Sequence, residues 1–196
     1  MTNQNSLGGG LFNTKNNHFW ASENPNVKRE SGHQINFGFN VFALLMDNKV
    51  EYFIYDENLN SEGYIRIIRQ VVEEFVDHLP LQNYNQIWYQ QDGAGAHSTA
   101  QVSAELTRIF DDRWFGRMGP WDWPARSPDL TPLDFHLWPR IKDIVYTTPV
   151  NTKEELQDRV IHAFRTLDRD EIRRATTRGV RNRIQKCLEA NGRQLQ

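Results

Sequence analysis

Apolar residues first crowd into two short runs, Gln34 to Met46 (QINFGFNVFALLM) and Val50 to Tyr55 (VEYFIY), both rich in strand formers. Asp47-Asn48 between them is a turn signal, so the pair predicts a β-hairpin. The period then changes. Ile65, Ile68, Val72, Phe75 and Leu79 recur at three- and four-residue steps, which predicts a helix with one buried face, ended by Pro80. Gln86 to Gln91 (QIWYQQ) is again strand-like and delivers Asp92 at its C-terminal end. After a loop at Gly93 to Ala96, Ser98 or Thr99 suits the N-cap of a helix that buries Val102, Leu106, Ile109 and Phe110.

Arg113 to Gly116 (RWFG) reads as one more short strand, and Gly119 to Pro132 (GPWDWPARSPDLTP) is too dense in Pro, Trp and Asp for any regular element. A helix is predicted directly after it. Thr131 stands at the N-cap position, Pro132 at the first helical position and Asp134 three residues after the cap, and Leu137, Trp138, Ile141, Ile144 and Val145 supply the apolar stripe. Pro149 breaks that helix, Asn151 or Thr152 caps another (TKEELQDRVIHAFRTL), and a last one runs from about Asp170 to Ala190, where Asn191-Gly192 ends it. The order of strands and helices implies a mixed α/β layer arrangement around one sheet.

Composition narrows this picture. A chain of 196 residues suits one compact unit, and no apolar run approaches the roughly 20 residues of a membrane span. Met1 to Gly10 is polar and glycine-rich and resembles neither a signal peptide nor a transit helix, so secretion is not expected. The single cysteine, Cys187, fits a reducing compartment and a buried structural thiol. The net charge of −2 gives no general attraction to nucleic acid, so any such contact must be local. Arg173, Arg174, Arg178, Arg181 and Arg183, with Lys186 and Arg193, form a basic C-terminal segment that serves either as a solvated helix face or as a phosphate contact.

Two acids stand out by position: Asp92 at a strand tip and Asp134 in a first helical turn. Strand carboxyl ends carry functional groups in open sheets, helix N-termini favour anions, and paired carboxylates are suited to a hard divalent cation. Asp134 as a capping acid and Asp92 as a turn former before Gly93 explain the same positions, and spacing alone does not separate the two readings.

The stretch from Trp88 to Val145, with WYQQDGAGAHSTA followed by RWFGRMGPWDWPARSPDLTPLDFHLWPRIKDIVY, resembles the second and third catalytic blocks of mariner-superfamily DDE transposases. Weaker similarity covers Asn13 to Asn24 (NTKNNHFWASEN), TPVNTKEELQDRV and RIQKCLEANG. The resemblance implies an RNase H-like mixed sheet flanked by helices, over residues 13–196, in which three carboxylates hold two Mg²⁺ or Mn²⁺ ions for DNA strand cleavage and transfer. Carried onto this chain, Asp92 matches the second carboxylate, Asp134 the third, and His97 a site-adjacent histidine; Asp129 is assigned to loop structure.

The first carboxylate would lie before Asn13, where residues 1–12 contain no acid, and Asp47 and Asp56 sit at turn or strand-end positions. The resemblance therefore implies a first strand that is missing or degenerate, a disordered or degenerate segment at 1–12 that pairs poorly, and an N-terminally truncated protein without the helix-turn-helix modules of its family. The expected function is a transposase-derived domain that binds DNA, mostly non-specifically, with impaired cleavage and weakly bound Mg²⁺ or Mn²⁺. The alternative is an active transposase or endonuclease in DNA transposition and integration. A homodimer, a nuclear or cytoplasmic location, and no membrane or small-molecule partner go with either.

Trp121 and Trp123, with Arg117 and Arg126, flank the proline-rich loop and suit either loop packing or stacking on an unpaired base beside a gripped phosphate. Trp88, Trp114 and Trp138 are expected to be buried anchors, His136 partly exposed, and His18 and His33 isolated.

Overall fold

The computed structural model describes residues 2–7, 38–124 and 127–190. Strands β2 (Phe39–Met46) and β3 (Lys49–Tyr55) form the predicted hairpin, and its two-residue loop places Asp47 at φ 51°, a left-handed conformation that Asp tolerates. Strand β1 (Thr2–Leu7) pairs antiparallel with the other side of β2, from Thr2 opposite Leu44 to Leu7 opposite Phe39. The poor pairing expected of the N-terminal segment is thus corrected over these six residues. Backbone hydrogen bonds form a ladder whatever the side chains, and the polar sequence TNQNSL does not prevent one.

As the middle strand, β2 is buried on both faces, which explains its nearly continuous apolar run. One face presents Phe39, Val41, Ala43 and Leu45 to a core shared with α5 (Trp138–Val145), α6 (Lys153–Thr166) and Ile172 of α7 (Arg169–Arg174). The opposite face presents Phe42 and Leu44 to a second core. Its other members come from α1 (Ser61–Ile67), the helical turns after it through α2 (Glu74–Asp77), and α4 (Ala100–Phe110), with Tyr89 and Trp114. A helical layer therefore covers each side of the sheet, and the strand period of two sorts one strand between two cores.

The first helical stretch departs from its predicted stripe. Between α1 and α2 the chain makes a π-helical turn, Ile68–Glu73, and the buried positions Tyr64, Ile68, Val72 and Val76 recur every four residues. A wider turn rotates the face that follows it, so Phe75 becomes only half-buried; Ile65, which precedes the turn, is half-buried as well. A short helix α3 (Leu81–Tyr84) precedes β4 (Tyr89–Gln90), which pairs in parallel with β5 (Trp114–Phe115). The predicted caps at Thr99 and Thr152 form, each side chain accepting a backbone N–H in the first turn, from Val102 and Glu155 respectively.

At Thr131 the structure corrects the capping box: Thr131 contributes its backbone carbonyl to the N–H groups of Asp134 and Phe135, and no side chain caps the π-helical turn Leu133–Leu137. The last helix is also interrupted, by a π-helical turn at Ala175–Gly179 between α7 and α8 (Val180–Glu189). Trp114 and Trp138 are buried as expected, whereas Trp88 is 48% exposed because it points away from the core that takes its neighbour Tyr89. Cys187 is half-buried rather than buried, since α8 lies on the outside and buries no residue fully. Among the described residues no helix is long and apolar enough to cross a membrane.

Candidate functional site

Asp92 leaves the C-terminal end of β4, one residue after Gln91, whose N–H donates to the Phe115 carbonyl of β5 at 3.0 Å. Gly116, just beyond, is forced by this close approach: a Cβ there would stand 2.7 Å from Gln91 Cγ. The Asp92 side chain, 30% exposed, accepts the Ala94 N–H at 3.1 Å and His97 Nδ1 at 2.5 Å, both on Oδ1. Its Oδ2 has no protein partner among the described residues. A short 3₁₀ turn, Gly95–His97, folds the imidazole back under the carboxylate.

His97 is only 1% exposed and lies beneath Tyr64, ring centroids 3.8 Å apart. A carboxylate only accepts, so Nδ1 carries the hydrogen, and Nε2 is buried without a hydrogen-bond partner among the described residues. Tyr64 donates to Gln91 Oε1 at 3.0 Å and shares a 3.0 Å contact with the Tyr89 hydroxyl, while Gln91 Nε2 donates to the His97 carbonyl at 3.1 Å. Buried polar groups that satisfy one another in this way fix one geometry, and here the one fixed is that of Asp92. The sequence pattern missed Tyr64, Tyr89 and Gln91 as support; the only signal for them was the run of polar and aromatic residues leading into Asp92.

Asp134 occupies the first part of the π-helical turn Leu133–Leu137, is half-buried, and donates its N–H to Thr131 O at 2.9 Å. Strand β1 runs alongside this turn. The next residue, Phe135, joins it to the C-terminal helices: Arg183 lies over its ring at 4.1 Å and donates to Asp129 O at 3.4 Å, and a Cβ on Gly179 would sit 3.6 Å from the same ring. The structure thus brings Asp92 and His97 into contact and sets Asp134 beside the basic segment. Among the described residues no three His, Cys, Asp or Glu side chains are grouped to hold a metal ion.

The arginines fall into different settings. Arg174, Arg178 and Arg181 are exposed, Arg173 is 3.3 Å from Asp47, and Arg183 is half-buried in the contact just described. Arg117 is exposed; Arg126, His18, His33 and Asn13 to Asn24 lie outside the described residues. Trp121 is 50% exposed, yet its Nε1 donates to Asp112 O at 2.9 Å and its ring meets Trp88 edge-on. His136 is partly exposed, as expected, and sits 3.5 Å from Glu171.

Another charged cluster lies behind the site. Glu105, 9% exposed, takes a bidentate pair from Arg69 at 2.8 and 2.9 Å and further bonds from Arg108, which also grips Glu73. The hydrogen bonds from Arg69 lead among the causes that hold the Glu105 carboxyl at about 2, below the ordinary range, against the opposing effect of burial.

This architecture, small sheets with helices packed on either side, is an RNase H-like fold. In particular, the chain has the fold of the Mos1 mariner transposase catalytic domain, matching its crystal structure with a TM-score of 0.66 at 17% identity over 81% of this chain and 76% of that one. A pre-cleavage Mos1 transpososome matches over 100% of this chain and 56% of that one, with a TM-score of 0.73 at 15% identity. In sequence, the chain is homologous to the transposable element Tc3 transposase of Caenorhabditis elegans, 25% identical over 154 residues. That match covers 76% of this chain and 43% of the Tc3 protein, so the chain spans less than half of that relative's length. No protein-family model matches the chain.

Proposed function

We propose that the chain is a transposase-derived domain that binds DNA without sequence preference and cleaves it poorly. The observation that carries this reading is the placement of Asp92: it is anchored through one oxygen at the end of β4, in a fold shared with a solved transpososome. Exposed Arg174, Arg178 and Arg181 supply the phosphate contacts, and Arg117 lies two residues beyond β5, the neighbour of the strand that leads to Asp92.

Two-metal cleavage asks for three carboxylates that align a nucleophile and a leaving oxygen. Asp92 and Asp134 are the acids matched here; β1, which runs beside the Asp134 turn, reads TNQNSL and offers none. Among the described residues no third carboxylate joins these two, which supports the reading of an incomplete two-metal site. Mos1 structures are known with Mg and with Mn. For this chain the reading is weak binding of Mg²⁺ or Mn²⁺ between Asp92 and Asp134, and pairing of two copies on DNA.

Incubation with nicked or branched DNA and Mn²⁺ tests the cleavage half. Little product is expected, and robust product that disappears in Asp92→Ala overturns it. Titrating duplex DNA at several salt concentrations tests the binding half, because each phosphate neutralised steepens the salt dependence by about 0.9 in logarithmic slope. Replacing Arg174, Arg178 and Arg181 together by alanine should flatten that slope by up to about 2.7. An unchanged slope removes them from the interface.

A further inference from the structure

The sheet ends on β3, and a cavity of about 900 Å³ lies against that end. Five successive residues of the strand line it, Lys49 to Phe53. Successive side chains of a strand point to opposite faces, so no cavity on either face could touch all five; this one opens on the hydrogen-bonding edge. Its walls come from the helical layers that cover the sheet. Val71, Glu74 and Phe75 stand on one side, and Phe164, Leu167 and Ile172 on the other. The edge is therefore recessed in a slot between the two layers.

The hairpin register says which backbone groups face the slot. A two-residue loop makes its closing pair, Met46 and Lys49, a hydrogen-bonded one, and the pattern alternates from there. Lys49, Glu51 and Phe53 spend their N–H and C=O groups on β2, whereas Val50, Tyr52 and Ile54 direct theirs outward. Among the described residues no strand pairs with β3 on that side. The edge carries neither a proline nor a bulge; its charged residues, Lys49 and Glu51, are on positions bonded to β2.

We propose that this slot binds an extended protein segment, added to the sheet as a strand beside β3 and carrying acidic residues toward the α6–α7 wall. Main-chain pairing to Val50, Tyr52 and Ile54 would give affinity, and the apolar walls would take alternate side chains. Charge decides the rest: Arg165 and Arg169 line the α6–α7 side, both exposed and without an ion-pair partner among the described residues. A second copy's own β3 fits badly, because its edge is recessed between the same two layers and the walls would meet first. This inference does not depend on the DNA-binding reading.

Residue-resolved amide exchange on the whole chain tests it, with and without an acetylated peptide of about ten residues that alternates valine with threonine and ends in two glutamates, long enough to pair with the exposed edge. Added peptide should slow exchange at Val50, Tyr52 and Ile54 and leave Glu51 and Phe53, already bonded to β2, unchanged. The double variant R165E/R169E, with both changes on the surface, should bind the same peptide about tenfold more weakly. Pairing of this kind tolerates sequence, so no alternating protection at millimolar peptide overturns the proposal. Protection of the three amides in the dilute protein alone would give the slot to the chain's own residues. Protection that grows with protein concentration would give it to a second copy. Either result overturns the assignment to a separate acidic segment.

Discussion

Asp92 and Asp134 are held in opposite ways. Asp92 stands on polar support: its oxygen is tied to His97, His97 lies under Tyr64, and Tyr64 is hydrogen-bonded to Gln91 and next to Tyr89. The turn that carries Asp134 stands on packing: buried Leu133 and Leu137 lie in it, and Phe135 is gripped by Arg183 and the close passage of Gly179. A polar network has few good geometries and fails when one member is lost, whereas apolar packing tolerates change in proportion to the area removed. The two acids should therefore answer differently to mutation.

The largest effect should come from Trp114→Ala. Trp114, in β5 beside the strand that leads to Asp92, is fully buried, and its ring is so close to the chain's return that a Cβ on Gly119 would stand 2.8 Å away. Removing it should cost about 3–5 kcal/mol in denaturant unfolding. A loss under about 1 kcal/mol would show that the β4–β5 pair adds little to the fold.

Tyr64→Phe comes next and separates network from packing, since it keeps the ring over His97 and deletes only the hydroxyl. Leaving Gln91 Oε1 and the Tyr89 hydroxyl without that shared partner should cost about 1–3 kcal/mol. The same cut in the packed region, Phe135→Leu, should cost less than about 1.5 kcal/mol, because a half-buried ring gives way to another apolar side chain. If the two values came out equal, the contrast between the two acids would collapse.

Much of this was legible in the sequence, and the parts that were not share a cause. The hairpin at Asp47-Asn48, the caps at Thr99 and Thr152, and the buried stripe of α4 all follow from local rules that need only neighbouring residues. The three π-helical turns do not, because an extra residue in a turn leaves no mark in composition and rotates every later position. That rotation put Val76 inside and left Phe75 half out. Trp88 was misplaced for another reason. A strand as short as β4 has too few residues to show which face is buried, and Tyr89 took the core position. The sequence offers two acids and a histidine as a candidate site; the support beneath Asp92 comes from α1 and the end of β4, remote in sequence, and needed the fold.

Glu105→Gln tests the charged cluster between the π-helical turn Ile68–Glu73 and α4. In the folded protein Glu105 titrates near 2, below its unfolded value, so its stabilisation is present above the unfolded pKa of about 4.3 and is lost as pH falls toward 2. The variant should be less stable by about 1–2 kcal/mol at neutral pH, discounted because Arg69 and Arg108 stay half in water. The difference should shrink as pH falls from 4.5 toward 2. A gap independent of pH over that window would mean that Glu105 acts through shape rather than charge.

The smallest expected effect sharpens the comparison most, because it asks whether the Asp134 side is held by the same arginines proposed to contact DNA. Arg183 spends its guanidinium on the Phe135 ring and the Asp129 carbonyl, while Arg181, two residues earlier, is exposed. Arg183→Ala should therefore lower stability by about 0.5–1 kcal/mol, the value of a partly exposed cation–π contact, and leave the salt dependence of DNA binding where it was. Arg181→Ala should do the reverse: stability within about 0.5 kcal/mol of the parent, and a salt slope flatter by about 0.9. Arg183→Met retains the apolar stem over the ring and should restore part of the stability without touching the slope. If Arg183→Ala flattened the slope as much as Arg181→Ala, the guanidinium would be a phosphate contact first, and the packing of the turn that carries Asp134 would not depend on it.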